Sequence, residues 1–372
     1  LSTRLKVEKV TEVQDAKRHL PPLIRRVRRT SLNLFAFSEK LLLQVFTGFI
    51  VMFKKASLPP GILIQLAQTL WHGGWSVMMG QMAPRNPAGE YIRPASEFRQ
   101  RVGEDPKSPF PADFQRYGLI VGWSCPWAHR TLMVRALKGL TDCLPVTIVS
   151  PSPQTGGWSF ESPFQDCSTL REFYQRAQPG YQGRSTVPVL WDQQTGTIVN
   201  NESAEIIEIL NTAFSAWEKP DAPDLYPEGL RETIDRWNEK IYETVNNGVY
   251  RCGFAQNQSA YETACYALFE TLDEVEAVLG QQPFLCGASI TLADVRLFTT
   301  LIRFEVYATL FKCSLKPIAA YPHLQAYRQR IYHYPGIAET CNLQAVKQDY
   351  YGNLFPLNPG GIIPLGNVAG FS

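Results

Sequence analysis

The chain has 372 residues, more than one hydrophobic core of about 250–300 residues accommodates, so at least two domains are expected. With 45% hydrophobic and 19% charged residues, it is neither a disordered nor a collagen-like chain. The net charge of +2 hides a split: residues 1–60 carry 12 Lys/Arg against 4 Asp/Glu, net +8, which leaves 24 against 30, net −6, for the remainder. An acidic body argues against nucleic acid as a partner.

In the basic arm the longest apolar run is Leu41 to Phe53, closed by Lys54 and Lys55. A spanning helix needs about 20 apolar residues, so this run is too short to cross a membrane. Arg25, Arg26, Arg28 and Arg29 precede it, but the run starts over 40 residues in and no small-residue cleavage site follows. Peripheral contact with an anionic membrane is one expectation for the arm, and packing against the body or a partner is the other. Residues 57–95, rich in Gly, Pro and Met, predict an irregular connection with one short helix near Ile62 to Trp71. Residues 1–95 thus read as an extension.

From residue 96 to 215 the pattern is α/β. Tyr117 to Val121 is an apolar strand, and Gly-Trp-Ser-Cys-Pro turns it into a helix over Trp127 to Leu140. Pro126 suits the first helical position and Gly139 the end. Val146 to Val149 predicts a second strand, 151–168 a loop rich in Ser, Pro and Gly, and Thr169 to Arg176 a helix. Thr186 to Trp191 and Thr197 to Val199 predict a hairpin, and Ala204 to Leu210 a helix. The order β-α-β-α-β-β-α is thioredoxin-like, and the proline of its third strand makes Val187-Pro188 a candidate cis bond, the alternative being an ordinary edge-strand proline. Residues 216–230 hold three prolines and read as a linker. Residues 231–351 are helical by periodicity, with a capping box at Thr291 and Asp294 of structural role. The tail, 352–372, reads as extended.

Eight cysteines include no C-x-x-C pair, which excludes zinc ribbons and dithiol oxidoreductases of that spacing; no metal is expected. Their low density predicts reduced thiols in a cytoplasmic protein, and the sequons at Asn201 and Asn257 then read as coincidence. Cys125 alone stands at a helix start, where free amides and the dipole stabilise a thiolate. His129 and Arg130, one turn on, are candidates for added positive potential. Ala128 occupies the place of a resolving cysteine, so a mixed disulfide at Cys125 needs an outside thiol, which suggests glutathione.

Ser124-Cys125-Pro126-Trp127-Ala128-His129-Arg130-Thr131-Leu132 resembles the active-site signature of the glutathionyl-hydroquinone reductases, the Omega-like Xi class of glutathione transferases. The resemblance continues through Gly157-Trp158-Ser159-Phe160, Gly183 to Asp192, Ile198 to Ile207, Asn246 to Ala255, Ile302 to Tyr307, Phe311-Lys312-Cys313, and Tyr350-Tyr351 to Pro364. It covers roughly Glu97 to Gly366 and leaves the arm outside. It implies an α/β thioredoxin-like N-terminal domain followed by an all-α glutathione-transferase C-terminal domain, and a homodimer.

The resemblance also implies roles. Val187, before Pro188, pairs strand-wise with glutathione. Ser203 and the first helical amides hold its γ-glutamyl carboxylate and Glu202 its ammonium, while Trp158 and Arg184 contact it from the other side. Alone, Glu-Ser at a helix start is a cap. Tyr250, Tyr350 and Tyr351 line a pocket for aromatic glutathionyl conjugates. Two features depart from the family: YRCGFA stands for YKAGFA, placing Cys252 near the pocket, and the Gly-Trp loop is shorter. The expected reaction is reduction of S-glutathionyl-hydroquinones through a Cys125–glutathione disulfide, glutathione being the co-substrate. The rivals are an Omega-like thiol transferase or dehydroascorbate reductase, which would not need the tyrosine set, and a non-catalytic scaffold.

Overall fold

A computed structural model describes residues 59–82, 84–87, 91–103, 107–152, 156–354 and 357–366; the basic arm before them lies outside the described residues. Helix α1 (Pro60–Met82) is far longer than the short helix expected between Ile62 and Trp71. Gly73 and Gly74 read as breakers, at about 1 kcal/mol each in a helix interior. No proline interrupts the segment, however, and the helix continues through both to the fully buried Met79.

The sheet holds six strands in the order β4-β3-β2-β1-β5-β6: β1 (Tyr117–Val121), β2 (Val146–Ser152), β3 (Gly157–Phe164), β4 (Cys167–Thr169), β5 (Val189–Asp192) and β6 (Thr197–Asn200). Central β1 is buried throughout, as a strand covered on both faces must be. It pairs parallel with β2 across helix α2 (Pro126–Lys138) and antiparallel with β5. Burying Leu119, Ile120 and Val121 contributes on the order of 1.5–3 kcal/mol each. Gly139 ends α2 at φ 71°, its N–H bonded to the Ala136 carbonyl at 3.1 Å, the left-handed cap that glycine permits. Where β1 begins and β5 ends, Arg116 pairs with the buried Asp192 at 2.6 Å.

The expected loop over 151–168 is instead mostly strand: β3 and β4 extend the sheet beyond β2. Ser, Pro and Gly obscured it, but Trp158, Phe160 and Phe164 recur at the even spacing of a strand. Phe164 meets Phe173 and Trp191 at 5.9 and 5.3 Å between ring centres, so an aromatic cluster fixes the hairpin. Helix α3 (Leu170–Ala177) starts on a Thr169–Glu172 capping box, and α4 (Ser203–Thr212) packs on α2.

The stretch 216–230 is pinned: the Leu225 side chain is fully buried, its N–H bonds Asn211 and its carbonyl accepts from the Leu292 N–H. Then follow α5 (Arg231–Ile241), a π turn (Tyr242–Asn246), α6 (Gly248–Gly253), α7 (Gln258–Leu279), α8 (Leu292–Leu301), α9 (Phe304–Leu310), α10 (Pro322–Tyr332) and α11 (Leu343–Asn353). All ten residues of α8 are buried, and the box at its start is structural as expected: Asp294 accepts from the Thr291 N–H and hydroxyl, the Leu285 N–H and the Tyr327 hydroxyl. The tail is less extended than expected. Asn358 donates to the Tyr351 and Ile362 carbonyls, and Lys347 to the Gly366 carbonyl, so the described part folds back beside α11.

Candidate active site

The turn Gly122 to Cys125 carries the chain from β1 into α2, closed by the Cys125 N–H donating to the Gly122 carbonyl at 3.1 Å. Cys125 occupies the N-cap position and is half-buried. Its thiol donates to the Val187 carbonyl at 3.5 Å, and the Val187-Pro188 bond is cis. Pro188 precedes the first residue of β5, so no ladder donor is lost. Burial pushes the Cys125 thiol up, opposed by the Ala128 amide, Arg93, the Trp127 amide and Arg303. The helix start thus favours the thiolate as expected but does not by itself outweigh burial.

The expected cations differ. His129 is fully buried and held neutral, well below its ordinary value, by burial and by Arg303. Arginine only donates, so Nδ1 accepts from Arg303 at 2.9 Å and Nε2–H donates to Thr340 Oγ1 at 2.9 Å. Arg130 turns away to donate to Asn246 Oδ1 at 2.5 Å and Ser203 Oγ at 3.4 Å. Asn246 ends the π turn and is itself held by its bonds to the Arg296 carbonyl and Thr300. The cations acting on Cys125 are Arg93, stacked on Trp127 at 4.1 Å, and Arg303. Sequence reasoning missed both, because they come from outside the signature.

Beside this turn opens a cleft of about 840 Å³ whose wall includes Trp158, Arg184, Arg93, Arg171, Glu97 and Asn201. The Trp158 ring lies so close to Gly122 that a Cβ there would approach it to 2.3 Å, so Gly122 is required. Tyr181 donates its hydroxyl to the Arg184 carbonyl at 3.0 Å, fixing that loop. Glu202 and Ser203 adjoin Asn201 at the start of α4. The Glu202 carboxylate caps the Ala204 N–H at 3.1 Å and accepts from the Ser96 hydroxyl at 2.9 Å. Val187 and Ser203 are buried behind the cleft rather than in its wall.

On the helical side the Tyr350 hydroxyl bonds those of Tyr250 at 2.7 Å and Tyr307 at 3.0 Å. Burial pushes all three phenols up, Tyr250 and Tyr350 furthest, and Cys125 adds to the rise at Tyr250 and Tyr307. The structure brings Tyr250 and Tyr350 together and adds Tyr307, which only its place in a matched motif could have flagged. Tyr351, the next residue on α11, is buried, its carbonyl accepting from Asn358. Cys252 is buried against the thiols of Cys313 and Cys265. Among the described residues no group of three or more His, Cys, Asp or Glu is placed to hold a metal.

Residues 124–213 match the family model "Glutathione S-transferase, N-terminal domain" and 258–330 "Glutathione S-transferase, C-terminal domain". Glutathionyl-hydroquinone reductase YqjG of Escherichia coli is 43% identical, over 81% of this chain and 94% of its own. Glutathionyl-hydroquinone reductase PcpF of Sphingobium chlorophenolicum is 41% identical, over 81% and 95%. The glutathione-S-transferase Xi of Phanerochaete chrysosporium superposes with a TM-score of 0.73 at 44% identity, over 76% of this chain and 94% of that one. The glutathione-bound YqjG structure gives 0.69 at 44%, over 73% and 92%.

Proposed function

This chain belongs to the Xi-class glutathione transferases, the family of the glutathionyl-hydroquinone reductases, and we propose that it reduces S-glutathionyl-hydroquinones to hydroquinones with release of oxidised glutathione. The observation that carries the reading is a single thiol at a helix start, Cys125, between a charged cleft and a buried tyrosine set. Glutathione bears two carboxylates and an ammonium. Arg93, Arg171 and Arg184 supply counter-charges for the first, and Glu97 and Glu202 for the second.

The Cys125 thiolate attacks the glutathionyl sulfur of the conjugate. A sulfur–sulfur bond forms, the sulfur–aryl bond breaks, and its electron pair leaves on the aromatic carbon, which takes a proton from the Tyr250–Tyr350–Tyr307 set. A second glutathione thiolate then attacks the mixed disulfide, releasing oxidised glutathione and regenerating the Cys125 thiolate. Because burial raises the thiol, and only the thiolate attacks, turnover is expected to rise with pH through the Cys125 titration.

The test incubates the protein with glutathione and glutathionyl-menadiol and follows oxidised glutathione, with dehydroascorbate as the rival substrate. Turnover of the menadiol conjugate, lost on the order of 10³-fold or more in Cys125→Ser, is expected. Turnover confined to dehydroascorbate, or undiminished in Cys125→Ser, overturns the reading.

A homodimer and a cytoplasmic location with peripheral membrane contact through the basic arm belong to the same proposal. The eight free thiols support a reducing compartment, and the arm's net +8 supports attraction to anionic lipid. No described helix is long and apolar enough to cross a membrane. Sedimentation velocity tests the dimer. Liposome sedimentation of the full chain against a 1–90 deletion tests the contact, and equal binding to anionic and neutral lipid dismisses it.

A further inference from the structure

Arg303 lies between α8 and α9 with 2% of its surface exposed. Its guanidinium donates only to neutral acceptors: Nε to the Ser124 carbonyl at 3.1 Å, Nη2 to the Trp123 carbonyl at 2.9 Å, and Nη1 to the Thr299 carbonyl at 2.8 Å and His129 Nδ1 at 2.9 Å. Among the described residues no carboxylate forms an ion pair with it. Burying an unpaired ion is strongly unfavourable, and a buried arginine ordinarily meets a carboxylate. Arg116 and Arg328 keep that rule with Asp192 and Glu305, whereas the buried Arg130, bonded to Asn246 and Ser203, shares the exception with Arg303. Of the two, Arg303 is the one that sits against the two carbonyls immediately before Cys125.

We propose that Arg303 is the positioning residue of the catalytic thiol: it ties the helical half to the Trp123–Ser124 carbonyls and keeps a buried positive charge available to the thiolate at Cys125. The role in turnover rests on the monothiol reaction proposed above, whereas the effect on Cys125 belongs to the free protein. A carboxylate partner would quench that field permanently. Neutral acceptors fix the cation and leave its charge for an anion that forms during the cycle.

The groups facing the catalytic turn are Arg93 from the segment before β1, His129 on α2, Tyr250 on α6, Arg303 and Tyr307 at α9, and Tyr350 and Asp349 on α11. Asp349 reaches Ser124. His129 is neutral and the phenols are protonated, so Arg93 and Arg303 are the cations. Arg93 lines the open cleft, whereas Arg303 is sealed from water. Arg303 opposes the rise that burial causes at Cys125, Tyr307, Tyr350 and Cys341, so its field covers thiol and proton donors together.

The experiment alkylates the full chain with iodoacetamide across pH, locates the modified cysteine by mass, and subtracts Cys125→Ser. Arg303→Gln is expected to raise the Cys125 midpoint by about one pH unit or more. Arg303→Lys, which keeps the charge but loses the fork, is expected to recover most of that shift while turnover stays depressed. An unchanged midpoint in folded Arg303→Gln overturns the proposal, as does a shift that lysine fails to recover. If near-ultraviolet circular dichroism shows Arg303→Gln unfolded, Arg303→Lys decides alone: a midpoint near the parent's supports the role, and one raised by a full unit overturns it. An unmutated chain without reductase turnover but with these midpoints overturns the reaction proposed above and not this role.

Discussion

On the sheet side of Cys125 the walls carry charge: Arg93, Arg171, Arg184 and Glu97 face an open cleft. On the helical side three largely buried phenols bond through Tyr350, and the cation beside them, Arg303, donates to carbonyls and an imidazole. Under the reaction proposed above, the difference follows what each side has to hold. A zwitterionic peptide is bound by matched charges that water can reach and re-solvate. An aromatic leaving group develops charge only briefly, and a dry site keeps protons on its phenols until that moment. One thiol serves both because it stands at the boundary, on the turn between β1 and α2.

The largest effect is expected at the buried ion pair where β1 begins and β5 ends. Asp192 accepts from Arg116, Thr195 and the Gln194 N–H, which hold its carboxyl below the ordinary range against the opposing effect of burial. Asp192→Asn leaves Arg116 unpaired at a 10%-exposed site and is expected to cost about 3 kcal/mol in urea unfolding. A depressed carboxyl contributes stability above its unfolded value and loses it as pH falls through the folded value. The gap between parent and variant should therefore narrow in acid. A constant gap from neutral pH downward would remove Asp192 as its source.

Next comes Tyr350, the phenol bonded to both others. Tyr350→Phe is expected to slow release of hydroquinone on the order of 10²-fold, the scale of a lost proton donor. Turnover of a glutathionylated alkyl disulfide, whose leaving thiolate needs no proton, should stay within about twofold. Equal loss on both substrates would mean that the phenols shape the pocket rather than supply a proton. The smallest expected effect is on the charged side: Arg184→Ala should raise KM for glutathione about tenfold and leave kcat nearly unchanged, as a lost exposed counter-charge does. A fall in kcat without a change in KM would move Arg184 from binding to the chemistry.

Much of the sheet half was legible. β1 is a continuous apolar run, Pro126 and Gly139 bracket α2, and the proline before β5 forecast the cis bond that the structure contains. Each is a local signal, because dihedral restriction and hydrogen-bond supply act over a few residues. β3 and β4 were missed because most of their residues stay at least partly exposed and few are apolar; Phe160 is the one buried residue of β3. The length of α1 was missed because two adjacent glycines lower propensity without forbidding a helix. In the site, Cys125, Tyr250 and Tyr350 were legible, and only the first from physical chemistry alone.

By itself the sequence determined the placement of one cysteine at a helix start, the absence of a resolving thiol at Ala128, and the succession of a mixed α/β half and a helical half. Those depend on helix termini, spacing and periodicity, which the chain carries locally. Only the tertiary structure decided where charge is kept. It placed Arg303, 178 residues after Cys125 in the sequence, on the carbonyls just before it. It also turned Arg130 away and held His129 neutral. Electrostatic strength depends on burial and on distance through space, and neither can be read from the order of residues.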